Sequence, residues 1–546
     1  MAYFSKAIIA FLFVIYLITL VESQTQPQSQ PQSQPQSQPQ SQPQSQQQSQ
    51  TQSQSQVNCP ATSSISSNEP TRKYIVTLDS SSDKASHYEM LKQCYNKTVV
   101  NNPNARTTSS TCKDVSFGVL NCYIGQFRPS DASSLSQQPG VQSVEADSIF
   151  TIVSPYYRNN ARGNGPNVLK FPLDIQLNID HNQKPKDNNH NQNAQHNHND
   201  NSRTKPTETS DESSIIPAPS VAAFRNRRPR VTTTTQPATT TKPATTSAPT
   251  TTPISSGSCS NYATEASAPG NLDRIDQQSS TLDGTYSYPN DAGSGVDVYV
   301  IDTGIYPGNQ EFGNRVGNGV FYCSGCTSSA DDNGHGTNVA GIIGGSTYGV
   351  AKQCNLIPVK VCDASGSCQN SDIISGLSWA ANQHSSSSAK KSVINMSLSG
   401  GTSSALNNAV QSCIDQGMHV AVAAGNAGAN ACNYSPSSAP NAIAVGATDN
   451  SAAITSFSNY GSCVNIFAPG SGITAAGNSG PSALSTYSGT SQASPHVAGT
   501  VALLISNSGN VPPSQMVTNL DNLATQNAVT GNIHGSPNRF LRVPHC

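Results

Sequence analysis

The stretch "VDVYVIDTGI", residues 296–305, ends a strand-like apolar run at Ile301 and follows it at once with Asp302 and a Thr-Gly turn. Three more runs of this kind come later: "LIPVKV" at 356–361, "SVINMSL" at 392–398 and "HVAVAA" at 419–424. Helical candidates at 335–344, 371–383 and 403–416 fall between or beside them. Alternating buried strands and helices predict an α/β fold, a mostly parallel, doubly wound sheet with helices on both faces. Ligands of such sheets bind beyond the carboxyl ends of the strands. Asp302 and Asn426, the latter in "VAVAAGNAG", stand at such ends. Each could also serve only its turn.

"GTSQASPHVAG", residues 489–499, offers a local Ser-His pair. Ala493, Val497, Ala498, Val501 and Leu504 recur at helical spacing, so Thr490 or Ser491 opens a helix with Pro495 in or near its first turn. At ~100° per residue, five steps carry His496 about 140° round from Ser491. Side chains that far apart do not meet. Ser491 therefore sits among free N–H donors at a helix start, and its base must come from elsewhere. His335, in "DDNGHGTNVAG", sits at the start of another helix of small residues.

The order Asp302, His335, Ser491 is the order of the subtilisin triad. Residues 259–546 resemble the subtilisin-like serine proteases, most closely the proteinase K-like branch, through "YVIDTGI", "NGHGT", "TYGVAK", "VAVAAGN", "NYSP", "SFSNYG" and "GTSQASPHVAG". The resemblance implies Ser491 as nucleophile, His335 as general base and acid, and Asp302 as the group orienting His335. It implies Asn426 as an oxyanion donor beside the Ser491 N–H. It gives His496 no catalytic part.

The same resemblance places Leu398, Ser399 and Gly400 on one wall of the primary pocket, with Ala423, Ala424 and Gly425 facing them. It makes Gly366 and Ser367 an edge that pairs with extended substrate. Small walls and no carboxylate cluster imply broad endopeptidase specificity with preference for large apolar residues. Protein or peptide substrates are the partners, and catalysis needs no cofactor. The chain departs from the pattern at Gln492 (usually Met), Asn338 (usually His) and Ser399 (usually Gly). At a calcium position of the proteinase K-like branch, Asn465 replaces Asp beside the carbonyls of Pro440 and Ala442, which implies a weak or lost structural calcium. No catalytic metal is implied.

The rest of the 546 residues divides by composition. Lys6 and the apolar run Ala7–Val21 read as a secretory signal peptide over 1–23. Residues 24–70 are Gln/Ser/Pro-rich. Residues 71–150, with strands expected at Tyr74–Leu78, Phe117–Tyr123 and Val141–Val144, form a small α+β unit. This unit resembles the ferredoxin-like inhibitory propeptide of the same family, an intramolecular inhibitor. Residues 151–258 are Asn/His-rich and then Thr/Pro-rich, a linker or stalk whose His181, His190, His196 and His198 read as a solvated tract. "RNRR" at 225–228 resembles a dibasic site, but Pro229 disfavours cutting there. A first cut around Asp147–Ser154 is expected to be autocatalytic.

A net charge of −2 gives no electrostatic case for nucleic acid or an anionic membrane. The expected product is a secreted monomer, with lysosomal or vacuolar delivery as an alternative, and no membrane association after signal removal. Fourteen cysteines suit an oxidising compartment, and for Cys323-x-x-Cys326 a disulfide is favoured over zinc. Asn96, Asn395 and Asn433 are N-glycosylation candidates. A non-catalytic binding protein on the same fold would be favoured by loss of any of the four catalytic positions. An α/β-hydrolase esterase would need G-x-S-x-G.

Overall fold

The computed structural model describes residues 59, 69–102, 105–152 and 259–545, all within one compact unit, Cys59–Cys546. The signal peptide, the Gln/Ser/Pro repeat, the linker with its histidines, "RNRR" and Cys546 lie outside the described residues. Among the described residues no helix is long and apolar enough to cross a membrane.

The main sheet runs in the order Val320–Phe321, Asn355–Lys360, Asp297–Asp302, Ser392–Met396, His419–Ala423, Ile443–Thr448, Ile466–Pro469, Arg539–Phe540, Thr525–Gln526. Every pair is parallel except the last. Side chains of Asp297–Asp302 alternate between two cores, as period-two geometry requires. Val298 and Val300 join Val339, Ala340, Ile343, Val497 and Val501 on one face. Tyr299 and Ile301 join Ile373, Ile374, Leu377, Leu406 and Val410 on the other. The helices His335–Gly344 and Thr490–Ser508 thus cover one face, and Asn370–Ser386 and Ser404–Asp415 the other. From Asp297–Asp302 the chain builds to one side, and from Ser392–Met396 to the other. The crevice between these strands is a topological switch point, where ligands bind.

The smaller sheet has the order Thr98–Val100, Thr111–Asp114, Asn121–Phe127, Arg72–Leu78, Val141–Ala146, with helices Lys84–Tyr95 and Pro129–Leu135. Apart from the extra edge strand Thr98–Val100, this is the ferredoxin-like arrangement. The strand expected at Phe117–Tyr123 is displaced. Phe117 and Leu120 instead exchange both backbone hydrogen bonds in a tight turn, with Gly118 at φ +54°, and the strand starts at Asn121.

Disulfides join Cys59 to Cys94, Cys323 to Cys326, Cys362 to Cys368 and Cys432 to Cys463. Cys112, Cys122, Cys354 and Cys413 are buried thiols, so even cysteine counts do not mean complete pairing here. Burial pushes the first three up to about 12, and they pack as small apolar side chains. The glycosylation reading needs one correction. Asn395 is fully buried in Ser392–Met396, where its side chain bonds Ser397 Oγ and Ser494 Oγ, so the folded domain cannot present it. Asn96 and Asn433 are exposed.

Candidate active site

Asp302 ends its strand fully buried, and its Oδ1 accepts the Thr303 N–H at 2.7 Å and bonds His335 Nδ1 at 2.8 Å. His335 opens the His335–Gly344 helix after Gly334, which adopts φ +108°. Asp331 holds this turn. Its carboxylate accepts from Gly334 N and Thr303 Oγ1 at 2.8 Å and from Thr337 N at 2.9 Å, which supplies the cap that Gly334 lacks. Gly336 approaches the strand end so closely that a Cβ there would lie 2.1 Å from the Gly304 carbonyl oxygen. Only glycine lets the imidazole sit this near Asp302.

Ser491 is the second residue of the buried Thr490–Ser508 helix. Pro495 lacks the N–H that would bond the Ser491 carbonyl, and a buried carbonyl left unpaired costs about 1–3 kcal/mol. Ser397 fills the gap: its Oγ donates to Ser491 O at 2.8 Å, while Ser491 Oγ donates to Ser397 O at 3.1 Å. His335 Nε2 is buried and carries no hydrogen bond in this state. His496 points elsewhere, with Nδ1 on Gln492 O and Nε2 on Asn271 Nδ2, both at 2.8 Å. These partners fix a neutral Nδ1–H tautomer, and burial pushes its pKa down to about 4.

Asn426 follows the His419–Ala423 strand and is partly exposed. Its Oδ1 accepts both the Thr490 N–H and the Thr490 hydroxyl at 2.8 Å. Thr490 Oγ1 in turn accepts the Gly425 N–H at 3.0 Å. With Oδ1 committed to these donors, the Asn426 amide plane is set and its NH2 faces away from Thr490. Asn459 braces the loop: Oδ1 accepts from Ala427 N and Ala429 N, and Nδ2 donates to Ala424 O. Gly425 is at φ +104°, and a Cβ there would lie 2.3 Å from Asn459 Nδ2.

The tail of the small domain lies along the cleft. Ile149–Thr151 pairs antiparallel with Ser367–Gln369, and Ile152 N donates to Gly366 O at 3.1 Å. On its other side Thr151 exchanges two 3.1 Å backbone bonds with Ser399. Phe150 is fully buried against Gly400, where a Cβ would overlap its ring. Gly366, Ser367, Ser399 and Gly400 therefore touch the tail. Leu398 is buried in the same core as Phe150, and Ala423 and Ala424 are buried at the end of the His419–Ala423 strand. Sequence reading passed over Asp331, Lys360, Ser397, Asn459 and Thr490. Asn459 stood inside the quoted "SFSNYG" without a role, and Thr490 inside "GTSQASPHVAG" only as a possible helix start.

Two departures from the family pattern meet: Gln492 Nε2 donates to Asn338 Oδ1 at 3.5 Å, and Asn338 Nδ2 donates to Ser485 O at 2.9 Å. Asn465 itself is a poor calcium ligand. Its one side-chain oxygen is neutral and accepts the Ala444 N–H at 2.8 Å, while Ca²⁺ wants several hard, preferably charged oxygens.

A family model described as Subtilase family, Peptidase S8, matches residues 293–540, and one described as Peptidase inhibitor I9 matches residues 73–152. The alkaline serine exoprotease A of Vibrio alginolyticus is 46% identical over 279 residues, 51% of this chain and 51% of that protein. The subtilisin-like serine protease AsES of Sarocladium strictum is 46% identical over 280 residues, 51% of this chain and 71% of that protein. The extracellular serine proteinase of Thermus sp. (strain Rt41A) is 47% identical over 283 residues, 52% of this chain and 68% of that protein.

The chain belongs to the subtilase family. It is a subtilisin-like serine peptidase carrying an I9 pro-domain.

That pro-domain grips the subtilase domain by two carboxylates. Asp147 accepts from Ser371 N at 2.9 Å and Ser371 Oγ at 2.7 Å, at the start of Asn370–Ser386, a helix with no side-chain cap of its own. Glu145 accepts from Ala405 N at 2.9 Å and Ser403 Oγ at 2.7 Å, at the start of Ser404–Asp415. Negative charge at these positive helix ends is favourable, and Lys73 pairs with Asp147 at 3.2 Å. Asp147→Ala removes a helix cap worth about 0.5–2 kcal/mol. The processed Asp147→Ala protein is expected to gain activity about tenfold sooner after cleavage than the parent, read from the lag before peptide hydrolysis. An unchanged lag would show that this cap does not hold the pro-domain.

Proposed function

We propose that the protein is a secreted serine endopeptidase made as a zymogen, and that it cuts peptide bonds through Ser491, His335 and Asp302. The observation that carries this reading is the pro-domain tail, laid as an added strand between Ser367–Gln369 and Ser399 in the crevice of Asp302, His335 and Ser491. A substrate chain binds in the same way. The Ser491 hydroxyl leaves Ser397 O, gives its proton to His335 Nε2 and attacks the scissile carbonyl. Asp302 keeps the proton on His335 Nδ1 and stabilises the imidazolium as it forms. The developing oxyanion takes bonds from the Asn426 NH2 and the Ser491 N–H. His335 then protonates the leaving amine, and water releases the acyl group by the reverse steps. Pocket walls of small residues favour large apolar side chains.

The register of the tail counts out the first cut. Antiparallel pairs step by two residues, so in a substrate bound in the register of Thr151 and Ser399 the residue two further on would come opposite Ser397. Ser397 O holds the Ser491 hydroxyl at 3.1 Å. In the sequence that residue is Val153, which lies outside the described residues. Self-cleavage is therefore expected between Val153 and Ser154. N-terminal sequencing of the processed chain is expected to read "SPYYRN", while a Ser491→Ala precursor stays joined. A Ser491→Ala precursor trimmed normally in the absence of active enzyme would contradict self-processing.

A further inference from the structure

Lys360 ends the strand Asn355–Lys360 and is 1% exposed, among the largest fully buried side chains of the protein. A buried ammonium is costly unless its protons find oxygen. Here three donors meet three acceptors: Nζ donates to Thr303 O at 2.6 Å, to Asp332 Oδ1 at 2.6 Å and to Cys362 O at 3.0 Å. The acceptors belong to three different parts of the site. Thr303 follows Asp302, Asp332 lies in the turn before His335, and Cys362 begins the disulfide-closed loop that reaches the cleft edge at Gly366–Gln369. In the parallel register Lys360 is the direct neighbour of Asp302. The Asp302 carbonyl also accepts from Val361 N and Cys362 N, which ties the same two strand ends together.

We propose that Lys360 is a positioning residue for the Asp302–His335 pair. Its ammonium fixes the strand end that carries Asp302, the turn that delivers His335 and the cleft edge relative to one another. Its charge also opposes the carboxylates around the imidazole. Asp302 bonds the imidazole, Asp331 and Asp332 lie in the turn before it, and the Tyr487 ring is 6.2 Å from it. The proposal rests on His335 being the general base, as argued under the proposed function.

The test compares Lys360→Met with Asp332→Asn in otherwise intact, processed enzyme, with pH–rate profiles at low ionic strength. Lys360→Met is expected to lower kcat about 10- to 100-fold with KM within about threefold, as small misplacements of reacting groups do. It is also expected to move the acidic limb of kcat/KM upward by about half a pH unit, because a cation has gone. Asp332 is about half exposed, its side chain 51%, so Asp332→Asn should fold. It is expected to move that limb downward by about 0.2–0.3 pH unit, because an anion has gone. A disturbance of packing alone would not move the limb in opposite directions. The proposal is overturned if Lys360→Met keeps kcat within about twofold, or if its acidic limb does not rise. If Lys360→Met does not fold, Asp332→Asn decides, and a limb that stays or rises overturns the proposal. Full activity of His335→Ala would instead remove the reading on which it rests.

Discussion

Ser491→Ala and His335→Ala are each expected to abolish peptide cleavage and labelling by a fluorophosphonate, while His496→Ala, in folded protein, keeps both. On the proposed mechanism the first two remove the nucleophile and its base. In subtilisin itself either loss lowers kcat by about 10⁶-fold, and that size is carried here by family membership. His496 is the nearer imidazole in sequence, but its ring is spent on Gln492 O and Asn271. Its replacement by Ala leaves a cavity in the buried helix and loses two hydrogen bonds, an effect of roughly 2–4 kcal/mol on stability with the chemistry intact. Labelling lost only in the His496 variant would reverse the assignment.

Asn426→Ala is expected to lower kcat by about 10²–10³ with little change in KM, a size also measured in subtilisin itself, roughly 3–4 kcal/mol. The Thr490 amide and hydroxyl hold Asn426 Oδ1, so the side chain is oriented before substrate arrives. On the proposed mechanism its NH2 gains most as negative charge develops on the carbonyl oxygen, which is a transition-state effect. Ser491 should still react with the fluorophosphonate. If Asn426 served only the turn, Thr490 would lose a partner, stability would fall, and folded enzyme would keep nearly full kcat.

Strong apolar runs were legible in the sequence because burial on both sheet faces leaves them few polar residues. Val298–Ile301 and His419–Ala423 are of this kind. Ile443–Thr448 and Ile466–Pro469 are harder to read: "IAVGAT" is interrupted by Gly446, and "IFAP" is four residues long and ends in Pro, both signals that weaken a strand reading. The displaced strand near Phe117 shows the opposite failure, an apolar stretch spent on a turn whose Gly118 gave the only local warning. In the site, Asp302, His335 and Ser491 could be read because each stands at an element end with its own motif. The residues that hold them could not, because their partners are remote in sequence. Ser397 meets Ser491 across 94 positions, and Lys360 meets Thr303 across 57. Asn395 misled for the same reason: a glycosylation motif is local, whereas burial is set by the whole sheet.

The central claim is that Ser491 is a nucleophile activated by a base distant in sequence. Mapping the fluorophosphonate adduct by peptide mass spectrometry tests it most directly, using mature enzyme, His335→Ala and His496→Ala side by side. The account predicts a single adduct on Ser491 in the mature enzyme and the His496 variant, and none in the His335 variant. An adduct on any other residue, or undiminished Ser491 labelling without His335, would contradict it.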